Sequence, residues 1–143
     1  MLYTAVVATT ITPAVQTVLD SPLNATLATI RLDGTPELAP VWFLWQRGAL
    51  IVSTHIETRR WANLVRDPRC SVLIDDSSND RYVAIYGQAE LVRGDVRKLP
   101  RAIVARYIEA VRVDAYMRDV VYTRPERTLI KLKPDRLVAV GFG

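Results

Sequence analysis

Cysteine and histidine are almost absent from this sequence, which contains one of each. A single cysteine cannot form a disulfide within the chain, and the two residues together fall short of a four-ligand structural zinc site. A Ser-His-Asp triad would have to use His55, and no Gly-x-Ser-x-Gly sequence marks a nucleophilic serine. Cys70 lies in an apolar segment, where cysteine usually behaves as a small buried hydrophobe. We therefore expect no metal centre and no catalytic triad.

The sequence also lacks the glycine-rich loops that bind nucleotide phosphates, since it has neither a Walker loop nor a Gly-x-Gly-x-x-Gly fingerprint. Its 19 Lys and Arg residues exceed its 15 Asp and Glu residues, but they are scattered rather than gathered in a basic run. The excess positive charge permits an acidic partner such as a nucleotide or an anionic cofactor, whereas we expect no nucleic-acid partner.

The apolar segment at the start of the sequence is shorter than a signal-peptide core or a membrane span, and it carries no early basic residue. We therefore expect a cytoplasmic protein with no membrane partner. Because the chain has 143 residues, we expect one domain over residues 1–143.

Segments rich in β-branched residues predict a mainly β fold with a few helices. Three strands in an antiparallel meander, joined by turns at Asp33-Gly34 and Arg47-Gly48, are predicted over residues 25–32, 38–46 and 49–54. Further strands are predicted at residues 70–75, 81–92, 127–132 and 137–142. Gly87 marks a bulge or a close backbone approach within the strand that contains it.

Helices are predicted at three places. Thr12 followed by Pro13 marks the start of a first short helix. A second helix follows the strand that ends near Ser53, and it ends before Pro68. A third helical pattern begins at Gly94-Asp95 and includes Val96, and we expect its charged outer face to be solvated surface.

The junction between a strand and the second helix, residues 53–64, predicts an anion site. Trp61 and Leu64 share one helical face with Val65, so Arg59 and Arg60 lie near the helix start. A cation there is disfavoured by a few tenths to roughly 1 kcal/mol, whereas an anion is favoured. Two guanidinium groups beside the hydroxyls of three neighbouring residues would bind a phosphate or carboxylate; the hydroxyl residues are Ser53, Thr54 and Thr58. The alternative is that both arginines are solvated and that Glu57 pairs with one of them.

Residues 40–45, with the sequence Pro-Val-Trp-Phe-Leu-Trp, are apolar on both faces of a predicted strand. Such a strand must be covered on both faces, either by a barrel and a second layer or by a partner subunit, and we therefore predict a homodimer. All the side chains of residues 40–45 could simply belong to the hydrophobic core. Trp42 and Trp45 lie near the candidate anion site, however, so at least one of them could contact a flat aromatic ligand.

An anion site with aromatic walls, but with no recognisable acid, base or nucleophile, suits a bound redox cofactor that brings its own chemistry. Several short sequences of this chain, in the order in which they occur, then resemble those of a known family. These sequences are Leu27-Ala-Thr-Ile-Arg-Leu-Asp-Gly-Thr-Pro36, Pro40-Val-Trp-Phe43, Ser53-Thr54, Arg60-Trp-Ala-Asn63-Leu64, Arg66-Asp67-Pro68-Arg-Cys-Ser-Val72 and residues 82–90. They resemble the flavin-binding split-barrel proteins of the pyridoxamine 5'-phosphate oxidase-like superfamily, and most closely its short flavin- or deazaflavin-dependent reductases. The likeness is good over residues 23–92 and weak elsewhere.

The resemblance implies a six- to eight-stranded antiparallel split β-barrel that forms a homodimer, with two cofactor sites at the subunit interface. It implies that Arg60 binds a cofactor phosphate and that Ser53 and Thr54 bond the same phosphate or carboxylate tail. The family often has a second basic residue where this sequence has Thr58, and Arg59 could replace it. The segment implied to run along the tricyclic ring consists of Val41, Trp42 and Phe43. The residues implied to reach in from the other subunit are Arg81 and Tyr82.

The implied function is that of an oxidoreductase that uses FMN or the deazaflavin coenzyme F420 to transfer hydride to a small, planar, conjugated substrate. A non-enzymatic carrier or sensor of flavin or haem fits the missing acid and base equally well. The chain lacks the C-terminal extension and the substrate-phosphate arginines of true pyridoxamine phosphate oxidases, so we do not expect that activity.

Overall fold

The computed structural model describes residues 5–8, 11–94, 97–123 and 126–143, and within these residues the fold is mainly β. The strands are β1 (Ala5–Ala8), β2 (Ala25–Ile30), β3 (Pro36–Val41), β4 (Leu44–Gln46), β5 (Ala49–His55), β6 (Arg69–Asp76), β7 (Arg81–Val92) and β8 (Arg127–Val140). The α-helices are α1 (Pro13–Asp20), α2 (Arg59–Arg66), α3 (Lys98–Tyr107) and α4 (Ala110–Tyr116). A 3₁₀ turn spans Ser77–Asn79, and a π-helical turn, Met117–Val121, follows α4.

The strands form one antiparallel sheet in the order β3-β2-β6-β7-β8-β5-β4, with β1 beside β8. The two ends of this order, β3 and β4, are separated in the chain only by Trp42 and Phe43. The sheet must therefore curl until its two edges come close together. This curled sheet with an unpaired seam is a split barrel, which confirms the predicted mainly β split-barrel fold, while the homodimer stays a prediction.

The structure breaks the strand predicted over residues 38–46 and does not form the predicted meander. β3 pairs only with β2, whereas β4 pairs only with β5. The break occurs because side chains of α3, rather than a neighbouring strand, form hydrogen bonds with the backbone of Phe43. The Phe43 N–H donates to the Tyr107 hydroxyl over 3.2 Å, and the Arg106 guanidinium donates to the Phe43 carbonyl.

Two of the predicted turns and bends are confirmed. Arg47 and Gly48 both have positive φ, 52° and 73°, in the two-residue turn between β4 and β5. The pairing of β7 with β8 shifts register at Gly87, where a Cβ would lie 2.6 Å from the Lys133 carbonyl oxygen. A side chain at position 87 therefore cannot be accommodated without moving the backbone.

β8 is one continuous strand, although two closing strands were predicted around residues 133–135. Pro134 lacks an N–H, and it lies opposite Gly87 at the bulge in β7, where the ladder is already irregular. The strand therefore continues through the proline.

The main core lies inside the curled sheet. Its fully buried members include Leu27 and Ile74 from the strands, Leu19 and Leu64 from the helices, and Phe43 from the break between β3 and β4. The buried side chains of β2 and of β6 alternate with more exposed ones, as the period of two predicts.

The two helices predicted before residue 70 are both present. The Thr12 hydroxyl accepts from the Val15 N–H at the start of α1, which confirms the predicted helix start. On α2, Trp61 and Leu64 are buried as predicted, but Val65 is exposed and Asn63 is buried instead.

The helical region after β7 consists of α3, α4 and the π-helical turn. Of the start predicted at Gly94-Asp95 and its member Val96, residues 95–96 lie outside the described ranges. Ile103 and Val104 of α3 are buried, with Ile103 against β5 and β8. No helix in the described part of the chain is long and apolar enough to cross a membrane.

Candidate functional site

A cavity of about 210 Å³ lies where β5, α2 and β8 meet the helices α3 and α4. We call it the arginine cavity, because the side chains of Arg60 and Arg127 line it. Ser53 supplies a hydroxyl, and Val41 and Trp42 line it from the break between β3 and β4. The predicted residues Val41, Trp42, Ser53 and Arg60 thus meet around one cavity.

Ser53 and Arg60, which both line this cavity, each have a buried polar atom without a hydrogen-bond partner in the described structure, the Ser53 Oγ and the Arg60 Nε. A buried polar atom left unsatisfied costs about 1–3 kcal/mol, and more when the group is charged. Burial lowers the pKa of Arg60, but a guanidinium remains protonated at neutral pH. A buried cation and a buried hydroxyl that line one cavity can both be satisfied by an anionic ligand.

Arg127, the first residue of β8, is a member of the cavity that the sequence did not predict as a site residue. Its Nη2 donates to the Val121 carbonyl over 2.7 Å, which ties the side chain to the π-helical turn. The register of β5 on β8, with His55 opposite Arg127, brings it to this site. The sequence contains an arginine at the start of a predicted strand but gives no register, so the signal was too weak to identify it.

Aromatic side chains form one wall beside the cavity. The half-buried Trp42 stacks on Tyr107, with ring centroids 4.8 Å apart and planes 4° apart. Tyr116, which also lines the cavity, lies 5.7 Å from the Trp42 ring. Trp42 therefore contacts one tyrosine of α3 and one of α4.

Tyr107 also fixes the backbone at the break between β3 and β4. Its hydroxyl donates to the Leu23 carbonyl over 2.8 Å while it accepts from the Phe43 N–H. Burial raises the pKa of Tyr107, although the hydrogen bond from Phe43 and the charge of Arg106 act in the opposite direction. The phenol therefore stays protonated at neutral pH and can donate to Leu23.

Phe43, predicted to run along a cofactor ring, has a fully buried side chain in the main core. The Arg106 guanidinium lies 5.1 Å from the centre of its ring. The Phe43 side chain does not line the arginine cavity. Its predicted ligand contact stays a prediction, and the backbone is the part of Phe43 that lies next to Trp42.

The hydroxyls of Thr54 and Thr58 are engaged within the protein. The Thr58 Oγ1 donates to the His55 carbonyl over 3.1 Å and accepts from the Trp61 N–H as the cap of α2. Because a hydroxyl has one hydrogen, Thr54 is the donor in the 3.0 Å contact between their oxygens. The two threonines build the start of α2, and a ligand would have to compete with these bonds.

Arg59 lies outside the arginine cavity, and its side chain is 86% exposed. Its Nη1 is 3.5 Å from Glu37 rather than beside Glu57, the partner considered from the sequence. Glu37 also accepts from Arg31 and from the buried Asn63, and these bonds lower the pKa of Glu37 despite the opposing desolvation. Arg59 borders a neighbouring hollow of about 300 Å³ that Arg60 also touches.

Arg81 and Tyr82, predicted to reach into a site on the other subunit, both lie away from the arginine cavity of their own chain. The Arg81 Nε is 2.7 Å from Asp76, and its guanidinium lies 5.0 Å from the centre of the Phe142 ring. Tyr82 is partly exposed on the outer face of the sheet, in a hollow of about 500 Å³. Their predicted role at a partner's site stays a prediction.

Comparison with known proteins supports the fold and identifies the family model that fits. The model described as pyridoxamine 5'-phosphate oxidase matches residues 11–141. A conserved hypothetical protein of Mycobacterium tuberculosis has a similar structure, with a TM-score of 0.72 and 24% identity over 90% of this chain and 83% of that one. An F420 reductase gives a TM-score of 0.62 and 22% identity over 85% of this chain and 94% of that one. A heme binding protein of Mycobacterium smegmatis gives 0.66 and 26% identity over 96% of this chain and 57% of that one.

Proposed function

This chain belongs to the pyridoxamine 5'-phosphate oxidase family, and on that premise we propose that it is an oxidoreductase that binds FMN or the deazaflavin coenzyme F420. It uses the cofactor to transfer hydride to a small, planar, conjugated substrate. The observation that carries this proposal is that Ser53 and Arg60 line one cavity and that each has a buried, unpartnered polar atom, Ser53 Oγ and Arg60 Nε.

The donors of the arginine cavity fit the anionic part of either cofactor. FMN ends in a phosphate, and coenzyme F420 carries a phosphate and carboxylates in its tail. A charge-assisted hydrogen bond contributes about 1.5–3 kcal/mol. Ser53 and Arg60 would hold this anion, with no loss of a bond that either buried atom already makes.

The size of the cavity indicates which part of the cofactor enters it. Pockets for drug-sized ligands usually measure ~300–1,000 Å³, whereas the arginine cavity measures about 210 Å³. The cavity would therefore take the anionic group, and the ring system would extend out of it along Val41 and Trp42, which line one side of the cavity. The stack of Trp42 on Tyr107 would keep this aromatic surface rigid.

The bound cofactor would supply the redox chemistry through its own ring. The protein would bind the anion, orient the ring and exclude water. Apolar side chains of α3 and the π-helical turn line the cavity, including Ile103, Val104 and Val121, and would keep water away from the charged contacts. Electrostatic contacts are stronger in such a partly dry environment.

A second candidate is a non-enzymatic carrier or sensor of flavin or haem. The described residues that line the cavity include no carboxylate, histidine or cysteine that could serve as an acid, a base or a nucleophile. One structural relative is a heme binding protein. Absorbance titration with haem distinguishes this candidate, because specific ligation shifts the Soret band and saturates at a fixed stoichiometry.

We further propose that the functional unit is a homodimer, but on a different face from the one that suggested it. α3 of the same chain packs on Trp42 and Leu44, so the apolar segment 40–45 does not need a partner. The outer face of the sheet instead exposes Leu38 by 66% and Tyr86 by 43% around the hollow that contains Tyr82. A second copy on this face would bring Arg81 and Tyr82 to the interface.

The proposed function is tested by titrating the purified protein with FMN and with F420, following tryptophan fluorescence and cofactor absorbance. Saturable binding of either cofactor is expected. Reduced cofactor is then mixed with quinone, nitroaromatic and enone acceptors, with and without protein. Oxidation that is faster with protein than without it supports the oxidoreductase, whereas binding without any acceleration supports the carrier. Failure to bind either cofactor contradicts the proposal.

A further inference from the structure

We propose that α4 and the π-helical turn, residues 110–121, form a lid that must open before a ligand can bond to Ser53 and Arg60. The structure then shows the closed form of the arginine cavity. That the lid controls the entry of a cofactor rests on the proposed function, whereas the opening of the lid does not.

The two polar atoms offered to a ligand are covered in the described structure. The Ser53 Oγ and the Arg60 Nε both have almost no surface exposed to solvent, although neither has a hydrogen-bond partner. A ligand atom cannot contact an atom that water cannot contact. At least one of the elements around the cavity must therefore move before an anion can bond to these two groups.

Most walls of the cavity are fixed to the sheet. Ser53 and Arg127 belong to β5 and β8, which pair with each other over residues 50–55 and 127–132. α3 is fixed as well, because Ile103 packs against Ile51 and Leu129 and because two of its side chains bond the backbone between β3 and β4. Movement of either wall would break part of the core or of the hydrogen-bonded sheet.

The lid has fewer contacts with the sheet. Its buried residues Val113, Met117 and Val121 pack with Val104 of α3 in a cluster that is separate from the main core. Among the described members of this cluster, Trp42 alone lies outside the helical region that follows β7. Segments with few contacts to the core open locally at a lower free energy than the whole fold. The lid is therefore the wall that opens most readily.

Two contacts hold the lid against the cavity. The Tyr116 ring lies 5.7 Å from the Trp42 ring, and the Val121 carbonyl accepts from the Arg127 Nη2 over 2.7 Å. Tyr116, Val120 and Val121 all line the cavity, so displacement of the lid would uncover it directly. Both contacts can break and form again without any change in the pairing of the strands.

The π-helical turn gives the lid a way to move. The Tyr122 N–H donates to the Met117 carbonyl over 2.9 Å, five residues earlier in the chain. Single π-helical turns are rare and occur frequently at functional sites. A change to α-helical bonding would rotate the residues after the turn by about 100° relative to those before it. Such a change would alter which side chains of the lid face the cavity.

Hydrogen exchange in the free protein tests the opening without any ligand. The Arg60 Nε–H is observed by NMR, and we expect it to exchange with solvent only when the lid is open. Val113→Ala removes two buried methyl groups from the lid and should raise the population of the open form by roughly tenfold. The exchange of the Arg60 Nε–H should become faster by the same factor.

Two variants serve as controls for Val113→Ala. Val18 is also a buried valine in a helix, but it lies in α1 and does not line the cavity. Val18→Ala should therefore lower the stability of the whole fold and change the exchange of the Arg60 Nε–H by less than about twofold. Arg118 belongs to the lid, but it is exposed and pairs with Asp119, so Arg118→Ala should leave the exchange unchanged.

A comparison within the wild-type protein keeps the test decisive if Val113→Ala does not fold. The Met117 N–H bonds to carbonyls of α4, so it reports on the lid itself. If one opening exposes both groups, the Met117 N–H and the Arg60 Nε–H should have the same free energy of opening. An Arg60 Nε–H that exchanges only with the buried amides of β6, by unfolding of the whole protein, would overturn the proposal.

Stopped-flow binding of FMN tests whether the lid controls entry. A ligand that enters only the open form associates at a rate proportional to the open population. Val113→Ala should therefore raise the association and dissociation rate constants of FMN together, each by roughly tenfold. The Kd should change little, because the substitution weakens the closed lid equally with and without FMN.

The outcomes separate this inference from the proposed function. Unchanged exchange of the Arg60 Nε–H in a folded Val113→Ala overturns the lid. Faster exchange with unchanged FMN rate constants overturns its control of entry. If the wild type binds neither FMN nor F420, the proposed function fails, but exchange of the Arg60 Nε–H that depends on Val113 still supports the lid.

Discussion

Removal of one hydroxyl group, in the substitution Tyr107→Phe, should destabilise the protein at the break between β3 and β4. The change keeps an aromatic ring against Trp42, so the stack with 4.8 Å between ring centroids can persist. It removes the acceptor of the Phe43 N–H and the donor to the Leu23 carbonyl. The experiment therefore separates the hydrogen bonds of Tyr107 from its packing.

The magnitude follows from what each lost bond leaves behind. Phe43 is fully buried, and an N–H left without a partner there costs about 1–3 kcal/mol. The bond to Leu23, which is only partly buried, contributes about 0.5–1.5 kcal/mol. We expect a total loss of about 2–4 kcal/mol in the free energy of unfolding. For a chain near 150 residues this corresponds to a fall in Tm of roughly 5–15 °C.

The assay is urea and thermal unfolding followed by circular dichroism, with Tyr122→Phe as the matched control. Tyr122 is 46% exposed, so loss of its hydroxyl should change stability by less than about 0.5 kcal/mol. If Tyr107→Phe is as stable as this control, the hydrogen bonds of Tyr107 do not stabilise the segment between β3 and β4. The explanation of why β3 ends at Val41 is then wrong.

Three further predictions concern other parts of the fold. Asn63→Ala should lower the free energy of unfolding by about 1–3 kcal/mol, because it removes a hydrogen-bond partner from the buried Thr29 of β2 and from the partly buried Glu37 of β3. An unchanged denaturation midpoint would contradict this. Burial raises the pKa of the Cys70 thiol to about 12. A maleimide at pH 8 should therefore label Cys70 far more slowly in the native protein than in the unfolded protein. Equal labelling rates would show that the thiol is accessible in the native protein. Hydrogen bonds from Arg69 lower the pKa of Asp67 to about 2. The wild type should therefore lose stability relative to Asp67→Asn as the pH falls from about 4 through 2. Acid denaturation curves that run parallel for the two proteins would refute this.

Local signals in the sequence predicted the local structure well. The Thr12 cap and Pro13 predict α1, and the turn at Arg47-Gly48 joins β4 to β5 as expected. Gly87 marks the place where the backbone of β8 comes close. Each of these features depends on a few neighbouring residues or on the stereochemistry of glycine and proline, so the sequence is sufficient to predict it.

Features that depend on distant contacts could not be predicted in the same way. The strand over residues 38–46 breaks because Arg106 and Tyr107, more than 60 residues away in the chain, bond the backbone of Phe43. Arg127 enters the cavity through the register between β5 and β8, which no local pattern specifies. The arginines at the start of α2 and the hydroxyls before it predicted Arg60 and Ser53 as site residues, and the family resemblance agreed, but the partner of Arg59 depends on where Glu37 of β3 lies relative to α2.

The central claim is that the arginine cavity holds the anionic group of a cofactor, and Arg60→Ala tests it most directly. The Arg60 Nε is buried without a partner, so its removal should leave Tm unchanged or slightly higher in the protein without cofactor. Loss of its charge-assisted contact should weaken the binding of FMN or F420 by roughly 10- to 150-fold.

The measurement is a pair of fluorescence titrations, with FMN and with F420, on Arg60→Ala, on wild type and on the control Arg118→Ala. The account predicts a rise of at least tenfold in the Kd of the bound cofactor for Arg60→Ala alone, with folding intact. A change of less than twofold for both cofactors, at an unchanged Tm, would contradict the assignment of Arg60 and with it the anion site.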